Sequence, residues 1–172
     1  MIAAGLLATA LITLAQMFGL STRSNVSSRN TTYANVLAEQ KMEELRGLTW
    51  GFDGAGLPLS DSATNTAVSP EQPTGGRGLE PSPLSALQEN TDGYVDYVDN
   101  YGNKVGTGGT TPPEAAVYTR RWSITPLPTN PNNTLILQVL VTKNRNRTSV
   151  DQTVGRLPEE ARLVTVKTRK AQ

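Results

Sequence analysis

Two residue types are missing from this sequence. It has no cysteine and no histidine. Without cysteine there are no disulfides, no thiol chemistry and no thiolate metal site. Without histidine the commonest general base and the commonest transition-metal ligand are gone, and a Ser-His-Asp triad cannot be assembled. Aromatics are sparse at two Trp, five Tyr and two Phe. A strong charge of either sign is lacking too, because 16 Lys and Arg offset 15 Asp and Glu. A net charge of +1 gives no long-range pull on nucleic acid or anionic lipid. These absences argue against an enzyme and against a nucleic-acid partner, and no catalytic or cofactor-binding residue stands out. The 172 residues suit one domain and an appendage.

What the sequence does have is a long uncharged start. Residues 1–22, "MIAAGLLATALITLAQMFGLST", hold no charged side chain, and Arg23 is the first. As a helix this stretch would reach about 33 Å, enough for a bilayer core. Small residues recur at Ala3, Ala4, Gly5, Ala8, Ala10, Ala15 and Gly19, which permits close helix–helix approach. A cleaved secretory signal would need a basic n-region and a polar cleavage region, and neither is there. A core helix of a soluble body would seldom be apolar for so long. The expectation is a transmembrane or filament-core helix over 1–22. Arg23 and Arg29 follow the span, which by the positive-inside rule alone would leave the remainder cytoplasmic. The sequence opens inside an apolar run, and a basic leader upstream would remove that conflict.

From Ser21 the chain turns polar with no Pro, and no Gly before Gly47. The Ser/Thr/Asn-rich part to Thr32 has poor helix propensity and is a place for a bend or short break. Ala34, Leu37, Ala38, Leu45 and Leu48 then recur at helical spacing, with Met42 at the margin. Glu39, Lys41, Glu43, Glu44 and Arg46 are read as surrounding this stripe. Residues 23–50 are therefore an amphipathic continuation that packs on a body, with Gly51 as its C-cap.

Residues 51–93 read as a Gly/Pro-rich loop with one helical turn near Leu84–Leu87. Residues 94–172 hold four strand-like segments: Tyr94–Tyr101, Tyr118–Thr125, Leu135–Thr142 and Arg162–Thr168. Tyr118, Arg120, Trp122 and Ile124 share one face, as do Leu135, Leu137, Val139 and Val141; Val164 and Val166 are read as facing inward. The tail from Arg169 is read as solvated. Turn-rich connections argue for an α+β fold, an antiparallel sheet of about four strands covered by the amphipathic half-helix.

Two constellations invite a binding role. Asp92, Asp96 and Asp99, with Asn100 and Asn103, are candidate calcium ligands, although the spacing is not an EF-hand loop and turn chemistry explains them equally well. Arg120, Arg121 and Trp122 offer a charged, stacking patch for DNA or glycan, against the plainer reading of an edge strand with Trp122 in the core.

The run "GLLATALITLAQMF" followed by "VLAEQKMEELRGLTW" resembles type IV pilins and the pseudopilins of type II secretion, above all their minor subunits. The leader of that family and its Gly-Phe-Thr-Leu-Ile-Glu type start are not in these residues, and the expectation is that they stand upstream. The resemblance implies a helix stored in the bacterial inner membrane, with the C-terminal domain periplasmic. In the filament that helix packs against sister helices through Leu7, Leu11, Leu14 and Phe18. It implies as partners other pilin or pseudopilin subunits, the inner-membrane assembly machinery and, before assembly, lipid. A membrane-anchored β domain that binds a ligand and never polymerises is the alternative from a different class.

Overall fold

The computed structural model describes the backbone of residues 2–144 and 160–169, with side chains at residue 7 and, within those ranges, from residue 11 onward. Most of the connector expected between the last two strands, and the tail after Arg169, lie outside the described residues.

One helix, α1 (Ile2–Gly47), runs for 46 residues, about 69 Å at the standard rise. The bend allowed for at Ser21–Thr32 is not there. Within that stretch Thr22 donates to the Phe18 carbonyl at 2.9 Å, Ser28 to that of Ser24 at 2.9 Å, and Thr32 to that of Ser28 at 3.0 Å. Each hydroxyl bonds back to the turn before it and is satisfied inside the helix.

The body is a four-stranded antiparallel meander in the order β3 (Val95–Val98), β4 (Tyr118–Pro126), β5 (Thr134–Lys143), β6 (Ala161–Thr168). A small hairpin, β1 (Trp50–Phe52) with β2 (Pro58–Ser60), stands where an unbroken loop was expected, pairing Gly51 with Leu59. Gly51 is therefore a strand residue and not the helix cap. The rest of 61–93 is irregular, with a turn at 84–88 in which Glu89 donates back to the Ser85 carbonyl.

Registers place Trp122 opposite Val139, Ile124 opposite Leu137, and Val139 opposite Leu163. One sheet face thus carries Tyr118, Arg120, Trp122 and Ile124 beside Leu135, Leu137, Val139 and Val141, all buried. Ala34, Leu37, Ala38, Met42, Leu45 and Leu48 of α1 join them in one core. Among the described residues Ala34 is the first buried one along the helix, next to Tyr33, whose ring lies 5.4 Å from that of Tyr118.

Three expectations are corrected. Strand β4 lies inside the sheet, between β3 and β5, and is not an edge. Val164 and Val166 point away from the helix, 59% and 56% exposed. The inward residues of β6 are Ala161, Leu163, Thr165 and Lys167, the opposite parity. Lys167 supplies the reason. Its ammonium donates to the carbonyls of Leu45 (3.3 Å), Arg46 and Leu48 (2.6 Å) at the end of α1. A cation on the orphan carbonyls does the capping that Gly51 was expected to do. Arg169, read as solvated, lies over the Trp50 ring at 3.6 Å and donates to the carbonyls of Gly51 (2.9 Å) and Leu59 (2.8 Å). We expect Lys167→Met to cost about 1–2 kcal/mol through this lost cap. The check is a urea midpoint lowered at unchanged slope.

Candidate functional site

Two regions stand out, a protruding half-helix and the buried joint that fixes it to the body.

The N-terminal half of α1 stands clear of the sheet. Leu7, Leu11, Leu14 and Phe18 are 64%, 58%, 51% and 66% exposed, and Ile12, Met17 and Leu20 are exposed as well. Exposed large apolar side chains grouped on one stretch of helix mark a surface suited to interaction. The small residues Ala3, Ala4, Gly5, Ala8 and Ala10 belong to the stretch without described side chains. Among the described residues no helix is long and apolar enough to cross a membrane.

The joint lies at the other end of the same helix. The Asp96 carboxylate of β3 accepts from Arg120 Nε at 2.7 Å and from a second guanidinium nitrogen at 2.9 Å, and Lys41 Nζ stands 3.1 Å away. All three side chains are fully buried. Arg120 reaches on to the helix, donating to Gln40 Oε1 at 3.2 Å. Lys41 donates to the Thr66 carbonyl at 2.6 Å and lies 3.7 Å from the centre of the Trp122 ring. Glu44 bridges Lys41 at 3.2 Å and Lys104 at 2.9 Å. One carboxylate thereby ties helix, β3 and β4 together.

Burial works against the Asp96 charge, and Lys41 and Arg120 outweigh it, holding the carboxyl below its usual value. Burial pushes the Lys41 ammonium down, with Asp96 and Glu44 opposing that shift. A depressed carboxyl contributes stability above its unfolded value near 3.8 and loses it as pH falls through the lower folded value. Acid should therefore loosen α1 from the sheet only below about pH 4. Near-ultraviolet circular dichroism, which reads Trp122 packing, checks this; a transition centred between pH 5 and 7 would contradict it.

The structure scatters the calcium candidates. Asp96 is engaged as described. Asp99 organises a turn, accepting from the backbone of Tyr101 at 2.8 Å and Asn103 at 2.9 Å. Asp92 is exposed beside a polar cleft that Arg77 and Asn65 also line. Among the described residues no group of three or more carboxylates is placed to hold a metal ion. The Arg120–Arg121–Trp122 patch is also divided. Arg120 and Trp122 are buried, while Arg121 faces the other way and donates to Asn90 at 2.9 Å.

Sequence reasoning missed the joint. Lys41 reads as one of the charges flanking the apolar stripe, yet 34, 38, 41, 45 and 48 keep the four-and-three spacing that puts Lys41 at its centre. That spacing was the available signal.

No family model, curated protein or solved structure matches this chain.

Proposed function

We propose that this chain is a structural subunit of a pilin-like filament, a minor pilin or minor pseudopilin of a type IV pilus or a type II secretion system. The carrying observation is the division of α1. One half lies on its own sheet through Ala34, Leu37, Ala38, Leu45 and Leu48, and the other is apolar and uncovered. Covering Leu7, Leu11, Leu14 and Phe18 is worth about 4–7 kcal/mol per copy at their present exposure. That is no more than the freedom lost when two molecules associate from solution. Helices already aligned side by side in a membrane have lost part of that freedom beforehand. The reading therefore places the subunit in the bacterial inner membrane first, with its sheet domain on the periplasmic side, and in the filament afterwards. No residue is assigned a catalytic role; the work is packing and display.

The test is expression of the full-length gene beside a pilus or secretion assembly machinery. Envelope fractions are then examined by immunogold electron microscopy. The reading expects label on or at the tips of filaments. Label confined to membrane sheets, with filaments present but bare, would favour the anchored, non-polymerising β domain.

A further inference from the structure

The two edges of the sheet differ. At β3 the chain covers its own edge: Val105 donates to the Tyr97 carbonyl at 2.9 Å, Tyr97 Oη donates to the Gly109 carbonyl at 2.9 Å, and Lys104 bridges to Val98. At β6 no strand among the described residues pairs with the outer edge. The Arg169 N–H donates to the Asn133 carbonyl at 2.8 Å, so by alternation Lys167, Thr165 and Leu163 turn their backbone groups toward β5. The N–H and C=O groups of Arg162, Val164, Val166 and Thr168 therefore point away from β5. The side chains of these four residues are exposed, on the sheet face away from α1. The devices that normally guard such an edge are missing from its middle. Strand β6 holds no proline, and its eight residues pair with β5 without a bulge. The Lys167 ammonium is taken up by carbonyls at the end of α1. The β1–β2 hairpin meets the chain at Arg169, past the end of the strand.

We infer that this edge receives an extended, acid-ended strand from a different protein, added antiparallel to β6 as the other strands of the sheet are to one another. In such an addition main-chain hydrogen bonds supply affinity and alternate side chains supply specificity. Apolar residues opposite Val164 and Val166 extend a row that Ile136 begins, directly opposite Val166 on β5. The residue opposite Arg162 is a carboxylate. Arg162 forms no ion pair among the described residues. Leu140 stands between Arg162 and Arg121 in one row across the sheet, and β4, β5 and β6 hold no Asp or Glu. The face is thus a cationic row beside an apolar one, complementary to a strand reading Val-x-Val-x-Glu. A second copy of this chain does not supply that strand. Its β3 edge is closed by its own loop. A symmetric pair of β6 strands is antiparallel and points the two α1 helices in opposite directions. On the filament reading, on which this one step rests, both helices enter a membrane from the same side.

The probe is an amidated, fluorescein-labelled peptide, Ser-Thr-Val-Thr-Val-Thr-Glu. Its two valines face Val166 and Val164, and its glutamate faces Arg162. The full-length chain in lipid nanodiscs is titrated into it and fluorescence anisotropy is read. Saturable binding is expected. N-methylation of both valines removes the N–H groups directed at β6 and should weaken binding at least about tenfold. N-methylation of the threonine between them, whose N–H points away, should change it by less than about twofold. Arg162→Glu should weaken binding roughly tenfold, and a probe ending in lysine should restore it. Equal binding of the two N-methylated forms, indifference to the charge exchange, or no binding at about 1 mM probe would overturn strand addition at this edge. A disulfide dimer formed by Val164→Cys in an otherwise cysteine-free chain would give the edge to a second copy instead. None of these readouts requires a filament, so their failure is distinct from a failure of the filament reading.

Discussion

Replacing Asp96 with alanine should destabilise the body by about 3–5 kcal/mol, the largest single-residue effect expected in this chain. The cost is not the loss of one attractive pair. Removing the carboxylate leaves Lys41 and Arg120 as neighbouring buried cations, facing each other with Glu44 as the nearest remaining negative group. Their desolvation is then uncompensated, and α1 comes away from β3 and β4. A domain of ordinary stability loses a third or more of its margin to such a change. Asp96→Asn should cost less, because an amide still accepts a hydrogen bond from Arg120. A double variant that also replaces Lys41 with methionine should recover part of the loss, since it removes one stranded charge and keeps the volume. Denaturant unfolding measures all three. If Asp96→Ala lowered stability by less than about 1 kcal/mol, the joint would not be what fixes the helix to the sheet.

The second large effect is on assembly and should leave folding untouched. Leu14→Glu combined with Phe18→Glu puts two carboxylates on the outward face of the protruding half-helix. Both positions are exposed in the single chain, so the sheet domain keeps its core and its unfolding midpoint. In a helix bundle or in lipid the same carboxylates would have to be buried without partners, at several kcal/mol. The assembled fraction should fall by on the order of a hundredfold, which corresponds to about 3 kcal/mol. Sedimentation of envelope fractions, with circular dichroism of the soluble body in parallel, separates the two effects. A loss of assembly accompanied by a loss of stability would mean that these side chains contribute to the fold after all.

The parts of this molecule that local periodicity describes were legible in the sequence. The stripe Ala34, Leu37, Ala38, Leu45 and Leu48 is a helix face, and the alternation in "LILQVLVT" is a buried strand; both patterns repeat within one element. The joint was not legible for the opposite reason. Asp96 and Arg120 are 24 positions apart and meet only because β3 and β4 pair in one register. Taken singly, each belonged to a more familiar pattern: an aspartate among turn residues, an arginine beside a tryptophan, a lysine on a charged helix. Strand β6 failed differently. In "ARLVTVKT" either parity presents apolar residues inward, and the choice of Leu163 over Val164 is made by Lys167 reaching the end of α1. The hairpin of β1 and β2 has only three residues per strand, too short to carry a period, and it is held partly by Arg169 from the far end of the chain.

On the filament reading, copies of this same helix, and not lipid alone, cover the exposed half of α1. A single spin label at Phe18→Cys in the otherwise cysteine-free full-length chain tests it most directly, read by double electron–electron resonance after assembly. Dipolar coupling between labels on neighbouring copies is expected. That coupling should disappear when labelled chains are diluted with unlabelled ones, and again when the Leu14→Glu change is added. A label at Phe18 that reports an isolated spin in lipid at every dilution would contradict it.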